Sequence, residues 1–177
     1  MLKFIALAGI AAILSFSISC ETEEVADTST FGLIQSRILT PSCAIPSCHA
    51  SGKDATFVQH QLILAKGSAY DQLVNVVSFN TAAKTDGLKR VKPGDAENSF
   101  LVHKLHRDGS HHVGAYGNPM PLGLDKLTLG QLEFIEEWIN AGAPRTGEVA
   151  DAKLLDDKTR DEVCKTIANS LLRAIAT

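Results

Sequence analysis

The stretch Cys43-Ala-Ile-Pro-Ser-Cys48-His49 places two thiols five positions apart, with an imidazole directly after the second thiol. Covalent attachment of haem needs two thiols that add to its vinyl groups, and a following histidine whose ring reaches the iron. The usual spacing has two residues between the cysteines, whereas this chain has four. The same residues are also compatible with a disulfide loop in an oxidising compartment, or with zinc held together with other histidines. The rest of the chain decides among these readings.

Met120 is the first candidate for the ligand on the opposite side of such an iron. It lies in Gly117-Asn-Pro-Met-Pro121, where two prolines and a glycine predict a stiff loop. A thioether is the usual partner of histidine in electron-carrying c-type haems because it raises the reduction potential. A methionine between two prolines is also poorly placed to fill a helix interface. The rival ligands are four histidines, with His60 more remote: His103, His106, His111 and His112.

The first twenty residues have the pattern of an export signal. Lys3 precedes an apolar run, residues 4–14, that is shorter than the roughly 20 residues needed to cross a bilayer. The run leads to Ser17-Ile-Ser-Cys20, which resembles a lipobox with Ser in place of the usual Leu, so Cys20 is the predicted lipidation site. The alternative is an ordinary cleavage nearby that leaves Cys20 as a free thiol. We expect an exported protein, lipid-anchored to a bacterial membrane on its periplasmic or cell-surface face.

Composition and charge allow one domain with a tail. The 177 residues are 45% apolar and 21% charged, and 17 basic against 20 acidic side chains give a formal net charge of -3. This balance provides no basic field for a phosphate backbone, so no nucleic-acid partner is expected. We divide the chain into a signal peptide (1–19), a flexible acidic tether (20–30), a domain (31–145) and a C-terminal amphipathic helix (146–177).

Helical spacing of apolar residues and the near absence of strand-like alternation predict a mostly α domain with long loops. The first helix is expected after Ser29 or Thr30 and ends at Pro41, so that it leads into the cysteine segment. The second is expected after Ser68, with Asp71 completing a capping box. Their apolar faces are Phe31, Ile34 and Ile38 in the first helix, and Leu73, Val74 and Val77 in the second.

A later helix is the best specified by sequence. Thr128 as N-cap and Gln131 at the third helical position predict a capping box, and Leu127 is placed for a hydrophobic staple with Leu132. Residues 142–144, Gly-Ala-Pro, are expected to end the helix. Its predicted apolar face consists of Leu132, Ile135, Trp138 and Ile139.

Two further helices are expected on either side of this one. One begins after Asn98 or Ser99, and the other runs over residues 156–177 with a four-residue apolar repeat. We expect the terminal helix to pack on the core, the alternative being that it docks a partner, and Cys164 beside its stripe to be a small buried side chain. The apolar positions are Phe100, Leu101 and Leu105 in the first, and Val163, Ile167, Leu171 and Ile175 in the second.

The order of motifs resembles that of a known family. From about residue 34 to 144 the chain is similar to the monohaem cytochrome c domains often called planctomycete-type, which also occur in bacterial lipoproteins. The resemblance implies a small cytochrome c-like domain of short helices and long loops wrapped around one covalent haem c. It implies haem attachment at Cys43 and Cys48, axial ligation by His49 and Met120, and closure of the domain against the haem by the helix of Trp138. The matching motifs are Cys43-x4-Cys48-His49, Val91-Lys-Pro-Gly94, Ser99, Lys104-Leu105, Met120-Pro121 and Trp138-Ile-Asn-Ala-Gly-Ala143.

Pro93 is a candidate for orienting the ligand histidine. Its carbonyl would accept the ring N–H of His49, as carbonyls beside metal-bound histidines commonly do. The alternative is that Pro93-Gly94 only forms a turn before the next helix.

The predicted function is that of an exported, membrane-tethered monohaem c-type cytochrome that carries single electrons between redox partner proteins. It is an electron-transfer protein and not an enzyme, because no acid-base pair or nucleophile constellation stands out. One alternative is a haem protein whose distal ligand is displaced by a small molecule, with peroxidase-like activity left open. The other is a non-haem surface lipoprotein with a Cys43–Cys48 disulfide.

Overall fold

The computed structural model describes residues 27–106 and 114–159, and in these ranges the chain is mostly helical with short helices. Extended backbone in the same ranges is limited to isolated bridges, such as Val74 with Val91 and Lys89 with Ser99. The expectation of a mostly α domain with long loops is therefore confirmed for the described residues. The α-helices are α1 (Thr30–Ile34), α2 (Thr40–Ser42), α3 (Phe57–His60), α4 (Ala69–Leu73), α5 (Thr81–Thr85), α6 (Phe100–Leu105) and α7 (Leu129–Asn140).

The first predicted helix is present and leads into the cysteine segment. Ser29 caps α1, its side chain accepting a hydrogen bond from the Gly32 N–H at 3.0 Å. A π-helical segment, Gln35–Leu39, joins α1 directly to α2, so the chain is helical from 30 to 42. Pro41 lies in the first turn of α2, where a proline is tolerated because its missing N–H has no intrahelical partner.

The second predicted helix is shorter than the sequence suggested. α4 begins after Ser68, but the Ser68 side chain makes no capping hydrogen bond, so the predicted capping box with Asp71 is wrong. The chain turns to extended backbone at Val74, and Val77 is 53% exposed. Pairing with the segment 89–91 explains this, because the Asn75 N–H donates to the Val91 carbonyl at 2.9 Å.

The helix predicted around Trp138 is confirmed in detail. In α7 the Gln131 N–H donates to the Thr128 hydroxyl at 3.2 Å, and the Thr128 N–H donates to the Gln131 Oε1 at 2.9 Å. This reciprocal pair is the capping box. The helix ends at Ala141, and Gly142 follows with a φ of 96°, in the left-handed region that favours glycine.

Removal of this cap has a measurable expected cost. We expect Thr128→Ala to lower the free energy of unfolding by about 1 kcal/mol, because the Gln131 N–H in the first turn of the helix loses the hydroxyl that accepts its hydrogen bond. Chemical denaturation followed by circular dichroism measures the change in the free energy of unfolding. Thr146→Ala is the matched control, because Thr146 is exposed and lies outside the helices. Equal stability of the two variants would contradict the cap's role.

The core surrounds α7. Phe134, Trp138 and Ile139 are fully buried, and Phe31 from α1 packs on Trp138 with ring centroids 5.3 Å apart. The Trp138 indole N–H donates to the Pro144 carbonyl at 2.9 Å, which fixes the chain as it leaves the helix. The helix beginning after Ser99 also faces inward through Val102 and Leu105, whereas its predicted Phe100 and Leu101 are only partly buried.

Both ends of the described domain extend past the predicted boundaries at residues 31 and 145. Thr30, assigned to the tether by sequence, is buried, and its hydroxyl accepts a hydrogen bond from the Val149 N–H at 2.8 Å. A 3-10 helix, Ala152–Asp156, packs on α7 and buries Leu155. The predicted signal peptide (1–19), Cys20 and the greater part of the predicted terminal helix, including Cys164, lie outside the described residues.

In the described residues, no helix combines the length and apolar character that crossing a membrane requires.

Candidate haem-attachment site

The cysteine segment forms a closed loop directly after α2. The Cys43 N–H donates to the Leu39 carbonyl at 2.9 Å, which continues the helical hydrogen bonding into the segment. The Cys48 N–H donates to the Ile45 carbonyl, and the His49 N–H returns to the Cys43 carbonyl at 3.2 Å. The four residues between the cysteines are therefore accommodated as turns, with the two ends of the loop joined by a backbone hydrogen bond.

Asp54 clamps this loop from outside. One carboxylate oxygen accepts the Ser47 N–H at 3.0 Å and the other accepts the Ser51 N–H at 2.6 Å. These bonds lie on either side of Cys48 and His49, and the Thr56 hydroxyl donates to the Cys48 carbonyl. The hydrogen bonds hold the pKa of Asp54 below its usual value. Asp54 was not singled out in the sequence, although an aspartate after Ser51-Gly-Lys is a common loop-closing residue.

The role of Asp54 predicts a pH-dependent effect. Because its pKa is lowered on folding, Asp54 stabilises the protein fully above its ordinary pKa of 3.8 and loses this effect as the pH falls through the lower folded value. We expect Asp54→Ala to lower the melting temperature at pH 7, and to lower it less at pH 2. Thermal unfolding of the unaltered protein and the variant at both pH values measures the difference in melting temperature. Asp156→Ala is the control, because Asp156 is exposed, and a like shift in both variants would contradict the clamp.

The two thiols are free and partly buried. Burial and, to a smaller extent, the neighbouring Cys48 raise the pKa of Cys43 to about 12. Cys43 is therefore a neutral thiol at pH 7. Both cysteines lie in the loop that the hydrogen bond from the His49 N–H to the Cys43 carbonyl closes.

The His49 ring is oriented by a backbone carbonyl. Its Nδ1 lies 3.2 Å from the Leu62 carbonyl oxygen, and the Leu64 N–H donates to the His49 carbonyl at 2.8 Å. Since a carbonyl only accepts, Nδ1 carries the proton and Nε2 is the bare nitrogen, as in a metal-binding histidine. Burial lowers the pKa of His49, which favours the neutral form that binds metals.

The proposal that Pro93 orients His49 is wrong in this structure. The carbonyl beside Nδ1 belongs to Leu62, thirteen residues after the histidine, because the turn after α3 brings it there. Pro93 instead precedes a turn in which the Gly94 N–H donates to the Ile139 carbonyl at 2.7 Å. This agrees with the alternative reading of Pro93-Gly94 as a turn.

His60 lies next to His49, in contrast to the expectation that it is remote. The centroids of the two rings are 5.9 Å apart. Burial lowers the pKa of His60, and the charges of His49, Lys104 and Arg90 lower it further. His60 therefore belongs to the surroundings of the ligand histidine.

The Met120 loop is attached to α6. The Met120 N–H donates to the Lys104 carbonyl at 2.6 Å, while the Lys104 ammonium donates to the carbonyls of Tyr116 and Asn118. Lys104 thus holds the loop through both its backbone and its side chain.

The rival histidines have other contacts where the structure describes them. The His106 Nε2 lies 2.6 Å from the Glu136 carboxylate, and the His103 ring packs edge-on against Tyr116 with centroids 5.5 Å apart. His111 and His112 lie outside the described residues. Among residues 27–106 and 114–159, no group of three or more His, Cys, Asp or Glu has the arrangement of a metal site.

Two surface cavities lie elsewhere. One, of about 280 Å³, is lined by residues of the segment 94–97 together with His106 and Glu136, and the other, of about 260 Å³, lies between α2 and the segment 124–127. Neither is lined by Cys43, Cys48, His49 or Met120. Val58, nine residues after His49, is 79% exposed, and Leu122, two residues after Met120, is 61% exposed.

The residues of the attachment segment fit a covalent haem. Two free thiols lie in one closed loop, and the Leu62 carbonyl holds the proton of His49 on Nδ1, which leaves Nε2 deprotonated and able to bind a metal. No family model, no curated protein and no solved structure matches this chain. The fold therefore defines only a class, that of small mostly α-helical domains.

Proposed function

We propose that the chain is an exported, membrane-tethered monohaem c-type cytochrome that carries single electrons between redox partner proteins. The observation that carries the proposal is the geometry of Cys43, Cys48 and His49. The two thiols share one loop, and the Leu62 carbonyl holds the His49 ring with Nε2 bare. A Cys43–Cys48 disulfide would use only the two thiols, whereas a covalent haem uses both thiols and the oriented imidazole.

The chain's residues would divide the work as follows. Cys43 and Cys48 would hold the haem by thioether bonds, and His49 Nε2 would be the axial ligand on the proximal side. When bound, the group supplies a one-electron couple of the iron, and the protein sets its potential and its contact with partners. The Asp54 clamp and the Leu62 carbonyl keep the segment in place in both oxidation states.

Met120 is the proposed sixth ligand. The Met120 backbone and the Lys104 ammonium restrain the loop at three points, which supports a fixed thioether over a mobile side chain. A fixed thioether lowers the reorganisation that electron transfer requires and raises the potential. His106, which is paired with Glu136, is less suited to this position.

The proposed location follows from the amino terminus. Export by the leader of residues 1–19 and lipidation at Cys20 would leave the haem domain attached to the membrane by a short acidic tether. The proposed partners are redox proteins that meet the domain at this surface. The exposed Leu122 and Leu124, next to Met120, are the apolar side chains best placed for such a contact.

Titration with carbon monoxide tests the electron-carrier proposal. We expect the reduced, haem-loaded protein to keep its spectrum at carbon monoxide concentrations that convert a five-coordinate haem protein completely, since His49 and Met120 would both be bound to the iron and leave no site for the gas. Met120→Ala should bind carbon monoxide readily and is the positive control. Binding by the unaltered protein at the control's affinity would favour the small-ligand function over electron transfer.

A further inference from the structure

Arg90 is a buried cation without an anionic partner. Arg90 is only 7% exposed, and its guanidinium pairs with no carboxylate among the described residues. All four hydrogen bonds of the guanidinium go to neutral oxygens. Burying an unpaired charge is unfavourable, so its position calls for an explanation in terms of what it holds.

The guanidinium holds the turn that orients His49. One terminal nitrogen donates to the carbonyls of His60 and Gln61, both at 2.9 Å, and the other donates to the Gln72 carbonyl at 2.8 Å. The next carbonyl along the chain, that of Leu62, lies against His49 Nδ1. Three successive carbonyls, those of residues 60–62, thus accept hydrogen bonds from Arg90 or His49. Because Arg90 also binds the Gln72 carbonyl, it connects the end of α3 with α4.

The turn needs such a restraint. Gln61 has a φ of 45° and a ψ of 47°, the left-handed conformation that favours glycine. A glutamine reaches it only when surrounding contacts fix it. Two of those contacts are the bonds from Arg90 to the carbonyls of residues 60 and 61. Without them we expect the turn to relax and the Leu62 carbonyl to move away from Nδ1.

The charge of Arg90 also reaches the imidazoles. The guanidinium donates to the His60 carbonyl at 2.9 Å, and the His60 ring lies 5.9 Å from that of His49, so the charge lies close to this pair of rings. A fixed positive charge near an iron favours the reduced state, because the reduced iron carries one positive charge less.

We propose that Arg90 is a positioning residue for His49: it holds the 60–62 turn whose last carbonyl fixes the imidazole, and its buried charge raises the reduction potential of the iron. The second part rests on the proposed haem function, whereas the first concerns the protein alone. Removing the charge and removing the fork-shaped contacts have separable consequences. The weaker Nδ1 hydrogen bond would by itself make His49 less basic and raise the potential, whereas loss of the charge lowers it.

The test uses three variants of the haem-loaded protein. Arg90→Gln removes the charge and the hydrogen bonds of the guanidinium. Arg90→Lys keeps the charge but loses the paired geometry of these hydrogen bonds, and Arg37→Gln removes an exposed arginine as the control. At a fixed applied potential we expect Arg90→Gln to shift the reduced-to-oxidised ratio about tenfold toward the oxidised form, equivalent to about 59 mV. Arg90→Lys should keep or raise the potential, and Arg37→Gln should leave it unchanged.

The second readout is exchange of the His49 Nδ1 proton, followed by NMR of the reduced protein. Both Arg90 variants should speed exchange at least tenfold, and Arg37→Gln should not. Unchanged exchange in both Arg90 variants overturns the positioning role. Arg90→Gln and Arg90→Lys both lack the guanidinium contacts and differ in charge, so equal potentials in these two variants overturn the charge effect. If the unaltered chain carries no haem, the proposed function and the charge effect fall together, and the exchange rates still decide the positioning role.

If an Arg90 variant fails to fold, a measurement on the unaltered protein still tests the proposal. Held by four hydrogen bonds, the terminal N–H groups of Arg90 should give separate, slowly exchanging resonances. A single averaged resonance, as exposed arginines give, would overturn the proposal.

Discussion

Met120→Ala is expected to abolish the weak long-wavelength absorption of the oxidised haem-loaded protein, because that band arises from sulfur bound to iron. The same change should lower the reduction potential, since the thioether stabilises the reduced iron relative to water or a nitrogen ligand. We expect the covalent haem content to stay the same, because Cys43, Cys48 and His49 are untouched. Absorption spectra and potentiometric titration measure both effects.

Leu122→Ala is the matched control for the methionine variant. Leu122 lies two residues further along the same loop and is 61% exposed, so its truncation should leave the band and the potential unchanged. An unchanged band in Met120→Ala would show that another side chain is the sixth ligand. His60→Gln is then the first variant to compare, because the His60 ring lies 5.9 Å from that of His49.

Trp138→Ala is expected to have the largest effect on stability. Trp138 is fully buried between Phe31 and Tyr70, with ring centroids 5.3 Å and 6.4 Å away, and its indole N–H donates to the Pro144 carbonyl. Truncating such a side chain costs about 3–5 kcal/mol of unfolding free energy through lost contacts and the cavity left behind. Denaturant unfolding of the loaded protein measures the change.

Trp138→Phe separates packing from hydrogen bonding at this position. It keeps a ring against Phe31 but leaves the Pro144 carbonyl without its donor, so we expect a smaller loss, of which about 1 kcal/mol is the hydrogen bond. Stability of Trp138→Ala within about 1 kcal/mol of the unaltered protein would contradict the central place of this residue in the core.

Features set by neighbouring residues could be predicted from the sequence. The capping box of Thr128 and Gln131 was predicted because both partners lie within one helical turn and their side chains specify the geometry. The same reasoning was wrong at Ser68, whose backbone is already helical, with φ −112° and ψ −32°, so its hydroxyl does not occupy the capping position. Asn80, which caps α5, was readable by the same rule and was missed.

Features that depend on backbone atoms or on the path of the chain could not be predicted. The Leu62 carbonyl carries no signal of residue type, so nothing in the sequence distinguishes it from that of Pro93 as the partner of His49. The nearness of His60 depends on the left-handed turn at Gln61, which a glutamine seldom adopts. The π-helical segment 35–39 likewise has no sequence signature.

The measurement that tests the haem proposal most directly is the visible spectrum of the mature domain after production with a cytochrome c maturation system, denaturation and extraction of loose haem. We predict a haemochrome spectrum that stays with the polypeptide of the unaltered protein and is lost when Cys43 and Cys48 are both replaced by alanine. A folded but colourless polypeptide would contradict a covalent haem and leave the disulfide or metal reading of Cys43 and Cys48 in its place.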